Sequence, residues 1–335
     1  MRLCLKSFAA PSAVFLLLAA AAPARAVSCT TQAAMTAQDR NALADAGGRL
    51  ALAVANQDLP QLKASLLPAV ASDWEGISSD VQAGASLMKG GQVQLRNLYL
   101  LDASSLPAPA DAQFFCTSAS GALTVTLVLR ALPPGRYALV LADAAGAPYA
   151  GQVGLMLAWD ASANLWRLGG LTIRPGVLDG HDGLWWWTHA RELVKDGQPL
   201  IDSWPAWYSY EAARRLLLPV DFLSSPNLEK LGVEQTSIAG SPQTAFPLTL
   251  TDGARNWKID AIHLDPALLH ADLGVVYEST GVTDPAAVRT EAIAVLSAVL
   301  KAQPGLRTSF HGLWAYAVKD GKQTPVLELP MAQIP

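Results

Sequence analysis

The densest grouping of side chains able to do chemistry is "HLDPALLHAD", where His263, Asp265, His270 and Asp272 follow closely on one another. Imidazoles and carboxylates at that density are what a metal ion or a general acid–base pair requires. Zinc sites draw on tighter spacings, such as His-Glu-x-x-His or paired Cys-x-x-Cys, and neither occurs here. His181 beside Asp182, and His189 three residues before Glu192, repeat the chemistry without a more specific spacing. Solvated loop positions and helix caps account for all of these residues, so the sequence assigns no metal ligand and no cofactor.

Nucleophilic catalysis has even less support. No Gly-x-Ser-x-Gly elbow is present, and Ser86 with Lys89 matches a Ser-x-x-Lys spacing whose usual companions, Ser-Asp-Asn and Lys-Thr-Gly, do not follow. A helix end explains that pair. Carboxylates that could face each other across a substrate are Asp73 and Glu75, flanking Trp74, or Glu278 and Glu328, but spacing alone gives no distance between them. Neither a phosphate loop nor a dinucleotide glycine fingerprint appears. Catalytic residues therefore remain unassigned.

Aromatic residues give a stronger signal. In "HDGLWWWTHARELVK", residues 181–195, three consecutive tryptophans on a helix fan over about 200° and cannot all face one core. Trp186, Trp187, Ala190, Leu193 and Val194 share an arc, whereas Trp185 falls opposite with His189, Glu192 and Asp196. After a "KDGQPLID" loop, "WPAWYSYEAARRLLL" sets Trp207, Tyr210, Ala213, Arg214 and Leu217 on one side and Trp204, Tyr208, Glu211 and Arg215 on another. The pair resembles a tetratricopeptide-type hairpin, but a single unit cannot build a repeat array, so it reads as a connector. Trp185, His189, Trp204 and Tyr208 are the candidate ligand-binding residues, for a small molecule, glycan or protein, since rigid rings give contact area at low entropic cost. The competing expectation is that the same rings pack the domain interface.

Around these residues the periodicity predicts an α+β protein. Helices are expected from Thr36, a capping residue, to Ala55, with Leu43, Gly47, Leu50 and Val54 on one face, then at Leu62–Leu66, then through Trp74, Ile77, Val81, Ala85 and Met88. From Gly91 the period falls to two, and six strand candidates joined by short turns predict an antiparallel sheet. After the aromatic helices come three strands, a helix with Asp284 as cap and Pro285 at its first position, and two strands joined by "KDGK", in the order β-β-β-α-β-β. The resulting division is a helix-plus-antiparallel-sheet domain at 27–176, an aromatic helical connector at 177–240 and a C-terminal α+β domain at 241–335.

Residues 1–26 read as an export signal, with a basic start, an apolar centre too short to span a bilayer and "ARA" before Val27. Its removal lowers the basic count from 24 to 21 against 28 acids, taking the formal charge from −4 to −7. That balance disfavours nucleic acid. The hydrophobic share of 51% and charged share of 16% are those of a globular chain, with no further membrane span expected. Cleavage would leave Cys29 and Cys116 in an oxidising compartment, periplasmic or extracellular, where one disulfide between them is the simplest reading. Lipidation of Cys29 is the alternative, against which Ala26 and Arg25 depart from the usual lipoprotein signal.

The stretch "LALAVANQDLPQLKASLLPAV" at 50–70 resembles the opening of nuclear-transport-factor-2-like domains. That resemblance implies a cone of helices and curved sheet enclosing a pocket, and because such domains host both enzymes and binding modules it implies no one activity. Longer phrases, "ALPPGRYALVLADAAG", "YEAARRLLLPVDFLSSPNLEKLG" and "HGLWAYAVKDGK", resemble a family of secreted bacterial proteins, which brings no activity with it. The sequence is thus read as an exported, non-catalytic binding protein. The alternative is a hydrolase with its site in the N-terminal pocket or at the domain junction.

Overall fold

The computed structural model describes residues 27–147, 150–195, 203–242, 245–253, 255–265 and 269–335. Residues 1–26, expected from sequence to be an export signal, most of the loop between the aromatic helices and Asp196 lie outside the described residues.

The chain opens with β1 (Ser28–Thr31), followed by α1 (Ala37–Ala55), α2 (Leu59–Ala64) and α3 (Trp74–Met88). Thr36 caps α1 as the sequence predicts, its hydroxyl accepting from Asp39 N at 3.0 Å. Next come β2 (Gln92–Asp102), β3 (Ala110–Thr117), β4 (Thr124–Leu132), β5 (Arg136–Ala145), β6 (Gln152–Asp160) and β7 (Leu165–Arg174). Five of these strands form one antiparallel sheet in the order β1-β2-β5-β6-β7, while the β3–β4 hairpin leaves it to form a second sheet.

The departure of that hairpin covers the main sheet on both faces. Along β5, Ala138, Val140 and Ala142 pack under the helices, whereas Leu139 and Leu141 pack against Phe114 and Leu127 of the hairpin. Helix α1 lies close on this strand because position 47 is glycine: a Cβ there would come 2.7 Å from Val140 Cγ1. Cys29 and Cys116 form a disulfide that ties β1 to β3, with Cα atoms 5.1 Å apart across a separation of 87 residues.

Beyond β7 a small hairpin, β8 (Val177–Leu178) and β9 (His181–Asp182), leads into α4 (Gly183–Leu193) and α5 (Ser203–Leu217). Strand β10 (Leu223–Ser224) joins the edge of the β3–β4 sheet, and α6 (Pro226–Thr236) follows. The last part contains β11 (Leu248–Asp252), β12 (Arg255–Asp265), β13 (Asp272–Glu278), α7 (Pro285–Ala302), α8 (Leu306–Ser309), β14 (Gly312–Lys319) and β15 (Lys322–Pro330). Its sheet runs β11-β12-β13-β14-β15, antiparallel except where α7 carries the chain back so that β13 and β14 pair in parallel.

The fold is α+β, as predicted, with two differences inside the helices. Val194 is exposed, because α4 ends at Leu193 and leaves it as the C-cap. Helix α5 has no solvent side over most of its length, since Trp204 and Tyr208 are buried as fully as Tyr210 and Ala213 on the opposite arc. Residues of α4, α5 and α6 share one hydrophobic core with the C-terminal sheet. Among the described residues, no helix is long and apolar enough to cross a membrane.

Candidate acid–imidazole centre

Three strand ends of the C-terminal sheet and one turn converge on a single polar cluster. The turn between β8 and β9 places Asp179 at a positive φ of 49°, a conformation that aspartate tolerates better than most residues. Its carboxylate accepts from Ala271 N at 2.8 Å and lies 2.7 Å from His270 Nδ1, so it holds the chain just ahead of β13. Asp272 starts β13 and is fully buried. The parallel register sets Leu273 beside Leu313 and Gly274 beside Trp314, and the antiparallel register sets Trp314 beside Glu328. Because side chains alternate along strands, Asp272, Gly312, Trp314 and Glu328 share one face.

His311 precedes β14, anchored by its N–H on Ala271 O at 3.1 Å and by its carbonyl, which accepts from Met331 N at 2.8 Å. Its Nδ1 lies 2.9 Å from Asp272 Oδ1, while Trp314 Nε1 donates to Asp272 Oδ2 at 3.3 Å. The imidazoles of His270 and His311 stack with centroids 3.8 Å apart and planes 15° from parallel. Each histidine thus has its own carboxylate, Asp179 or Asp272, and both side chains remain partly open to solvent.

Glu328 completes the cluster and differs from the other acids. Its Oε1 is enclosed and has no hydrogen-bond partner. Burial, and then the neighbouring Asp272 carboxylate, push its carboxyl above the usual range, with His311 and His270 acting in the opposite sense. Position 312 is glycine because a Cβ there would come 2.8 Å from Leu329 O of the paired strand, and it would also come 2.9 Å from Glu328 Oε1 and 3.0 Å from Asp272 Oδ1. Glycine therefore leaves open the space between two carboxylates.

The residues singled out from sequence are distributed otherwise. Trp185 and His189 come together at the surface, where Trp185 stacks with both His181, 3.6 Å away at 9°, and His189, 4.8 Å away at 18°. The ring stays 39% exposed while both imidazoles stack on it. Burial lowers the His189 pKa, opposed by Glu192 and assisted by His181. Trp204 and Tyr208 lie in the core, where the Tyr208 hydroxyl donates to Ile262 O at 3.0 Å, so they line no open groove in this conformation. Among the described residues, a chain of ring contacts connects the Trp185–His189 surface pair to Trp204 and Tyr208: Trp185 to Trp186, Trp186 to Phe310, Phe310 to Tyr208, Tyr208 to Trp204. Phe310 adjoins His311, so this chain also supports the acid–imidazole centre.

The dense "HLDPALLHAD" grouping divides. His270 and Asp272 enter the centre, whereas His263 and Asp265 stay on β12 beside Tyr316, whose hydroxyl donates to Asp265. Glu278 and Glu328 sit towards opposite ends of the sheet, Glu278 pairing with Lys258 at 3.2 Å. Ser86 is exposed and donates to Ala83 O, and Asp73 and Glu75 are exposed at the start of α3. In the N-terminal part, a groove of about 630 Å³ runs past Asp39, Arg49, Arg136, Trp159 and Arg167, where Arg136 pairs with Asp39 at 3.0 Å and Arg167 with Asp160 at 2.6 Å.

The sequence reading passed over Asp179 and His311, and offered Glu328 only alongside Glu278, which lies far from the centre. The signal that joins them is the parallel pairing of β13 with β14, which no local spacing announces. No protein-family model, curated protein or solved structure matches the chain.

Proposed function

We propose that the chain is an exported binding protein whose ligand seats at the centre formed by Asp179, His270, Asp272, His311 and Glu328. The observation that carries this reading is the enclosed, unpartnered oxygen of Glu328 beside a second carboxylate and an imidazole. Buried polar groups are ordinarily satisfied, and an exception of this kind is a feature of sites that await a partner. The Cys29–Cys116 disulfide supports an oxidising compartment. An acidic surface favours a small or cationic partner over nucleic acid.

A hydrolase is the second reading, favoured by a specific observation at the same residues. Two carboxylate–imidazole pairs lie beside a glutamate whose carboxyl is pushed above its usual range by burial, an arrangement suited to general acid–base transfer. Crystals of the mature protein test both. Non-protein density touching Glu328 and His311 is the expected result. A Glu328 carboxyl hydrogen-bonded directly to Asp272, with nothing else at the centre, would overturn the assignment.

A further inference from the structure

We propose that Asp272, His311 and Glu328 hold one divalent transition-metal ion of the zinc class, through one imidazole nitrogen and two carboxylate oxygens. The proposal rests on reading the centre as a ligand site and names the ligand. Among the described residues, these three bring their donor atoms within 4.8 Å of one another. Donors sharing an ion at about 2.1 Å lie about 3 to 4 Å apart, so closing the set needs shifts of about one ångström or less.

Four features favour an ion over a simple hydrogen-bonded cluster. Two neighbouring carboxylates repel unless a cation or a proton lies between them. A mixed nitrogen and oxygen donor set suits borderline divalent ions, whereas magnesium and calcium favour oxygen alone. Asp272 already has outer support, because Trp314 Nε1 fixes its second oxygen at 3.3 Å and leaves Oδ1 facing His311. Finally, Gly312 keeps clear the space between Glu328 Oε1 and Asp272 Oδ1 that a methyl group would fill. Three protein ligands would leave a further position on the ion for water or a second molecule.

The test uses tag-free mature protein, stripped with a chelator and titrated with zinc chloride by calorimetry at neutral pH. One equivalent should bind, and Glu328→Gln should weaken binding by about 100-fold or more, as should Asp272→Asn. Far-UV circular dichroism establishes that each variant is folded; if Asp272→Asn is not, Glu328→Gln decides. A His263→Gln variant, which removes the imidazole that lies on β12 beside Tyr316, should keep the parental affinity. No binding, or binding that survives Glu328→Gln but disappears in His263→Gln, would overturn the proposal. Absent zinc binding alongside non-protein density at the centre would remove the metal and leave the binding reading standing. A centre that takes up nothing in either experiment would remove both.

Discussion

Truncating Trp186 to alanine should be among the most damaging single changes in the aromatic region. The ring is 2% exposed, stacks on Phe310 at 6.0 Å, meets Trp185 edge to face at 5.0 Å and donates through Nε1 to Leu178 O at 3.4 Å. Removal of a buried tryptophan costs about 3 to 5 kcal/mol, mostly from lost transfer energy and the cavity left behind. The long hydrogen bond adds at most about 0.5 kcal/mol, so about 4 kcal/mol is expected. Trp185, at 39% exposed, is the control. Its stacking with two imidazoles raises the cost above that of a freely solvated ring, to about 1 to 2 kcal/mol. Guanidinium denaturation followed by far-UV circular dichroism, with slopes compared between variants, measures both. A Trp185→Ala variant as destabilised as Trp186→Ala would refute the helical phase and the aromatic support of Phe310 and His311.

Three further outcomes follow from the described contacts. Reducing the Cys29–Cys116 bond, or replacing both cysteines by serine, should cost about 4.6 kcal/mol in the chain-entropy model for a separation of 87 residues, less any strain in the folded bond; intact mass with and without alkylation verifies the bond, and denaturation gives the cost. Glu234 accepts from Trp187 at 2.7 Å and from Arg191 at 2.8 and 2.9 Å, and Arg191 holds its carboxyl below the usual range. Arg191→Ala should therefore destabilise by about 2 kcal/mol, and because the folded carboxyl has the lowered pKa, the stabilisation is present above the ordinary glutamate range and lost as pH falls through the folded value; denaturation midpoints at neutral and acid pH would record it. His189 has its pKa lowered by burial, so folding favours the neutral ring and stability should fall as pH drops below the ordinary histidine value; His189→Gln should flatten midpoints measured between about pH 7 and 5.

Much of the fold could be read from local pattern because its elements obey local rules. Thr36 and Asp284 cap helices, and the strand candidates of both sheets fall where two-residue alternation places them. What escaped depends on neighbours that local pattern does not encode. Helix α5 reads as two-sided but is buried on both sides, since it passes beneath the C-terminal sheet. The β3–β4 hairpin reads as more of the same sheet and instead forms its own layer. The candidate centre was legible only in fragments: His270 and Asp272 stood out by density, and Glu328 only as one of several acids that could be offered. Asp179 sits 91 residues before His270, and His311 is 39 residues beyond Asp272, so only the folded chain assembles them.

The claim that this centre is built for a partner is tested most directly by the stability of Glu328→Gln, measured by denaturant midpoint at neutral pH in chelator. Glutamine keeps the shape of Glu328 while removing the charge that faces Asp272 and leaves Oε1 unpaired. Residues kept for function at the expense of the fold gain stability when replaced, and relief of a buried, unsatisfied group is worth about 1 to 2 kcal/mol. The account predicts a midpoint raised by that amount with an unchanged slope. A lowered midpoint would show that Glu328 supports the fold as a structural member of the cluster, and would contradict the account.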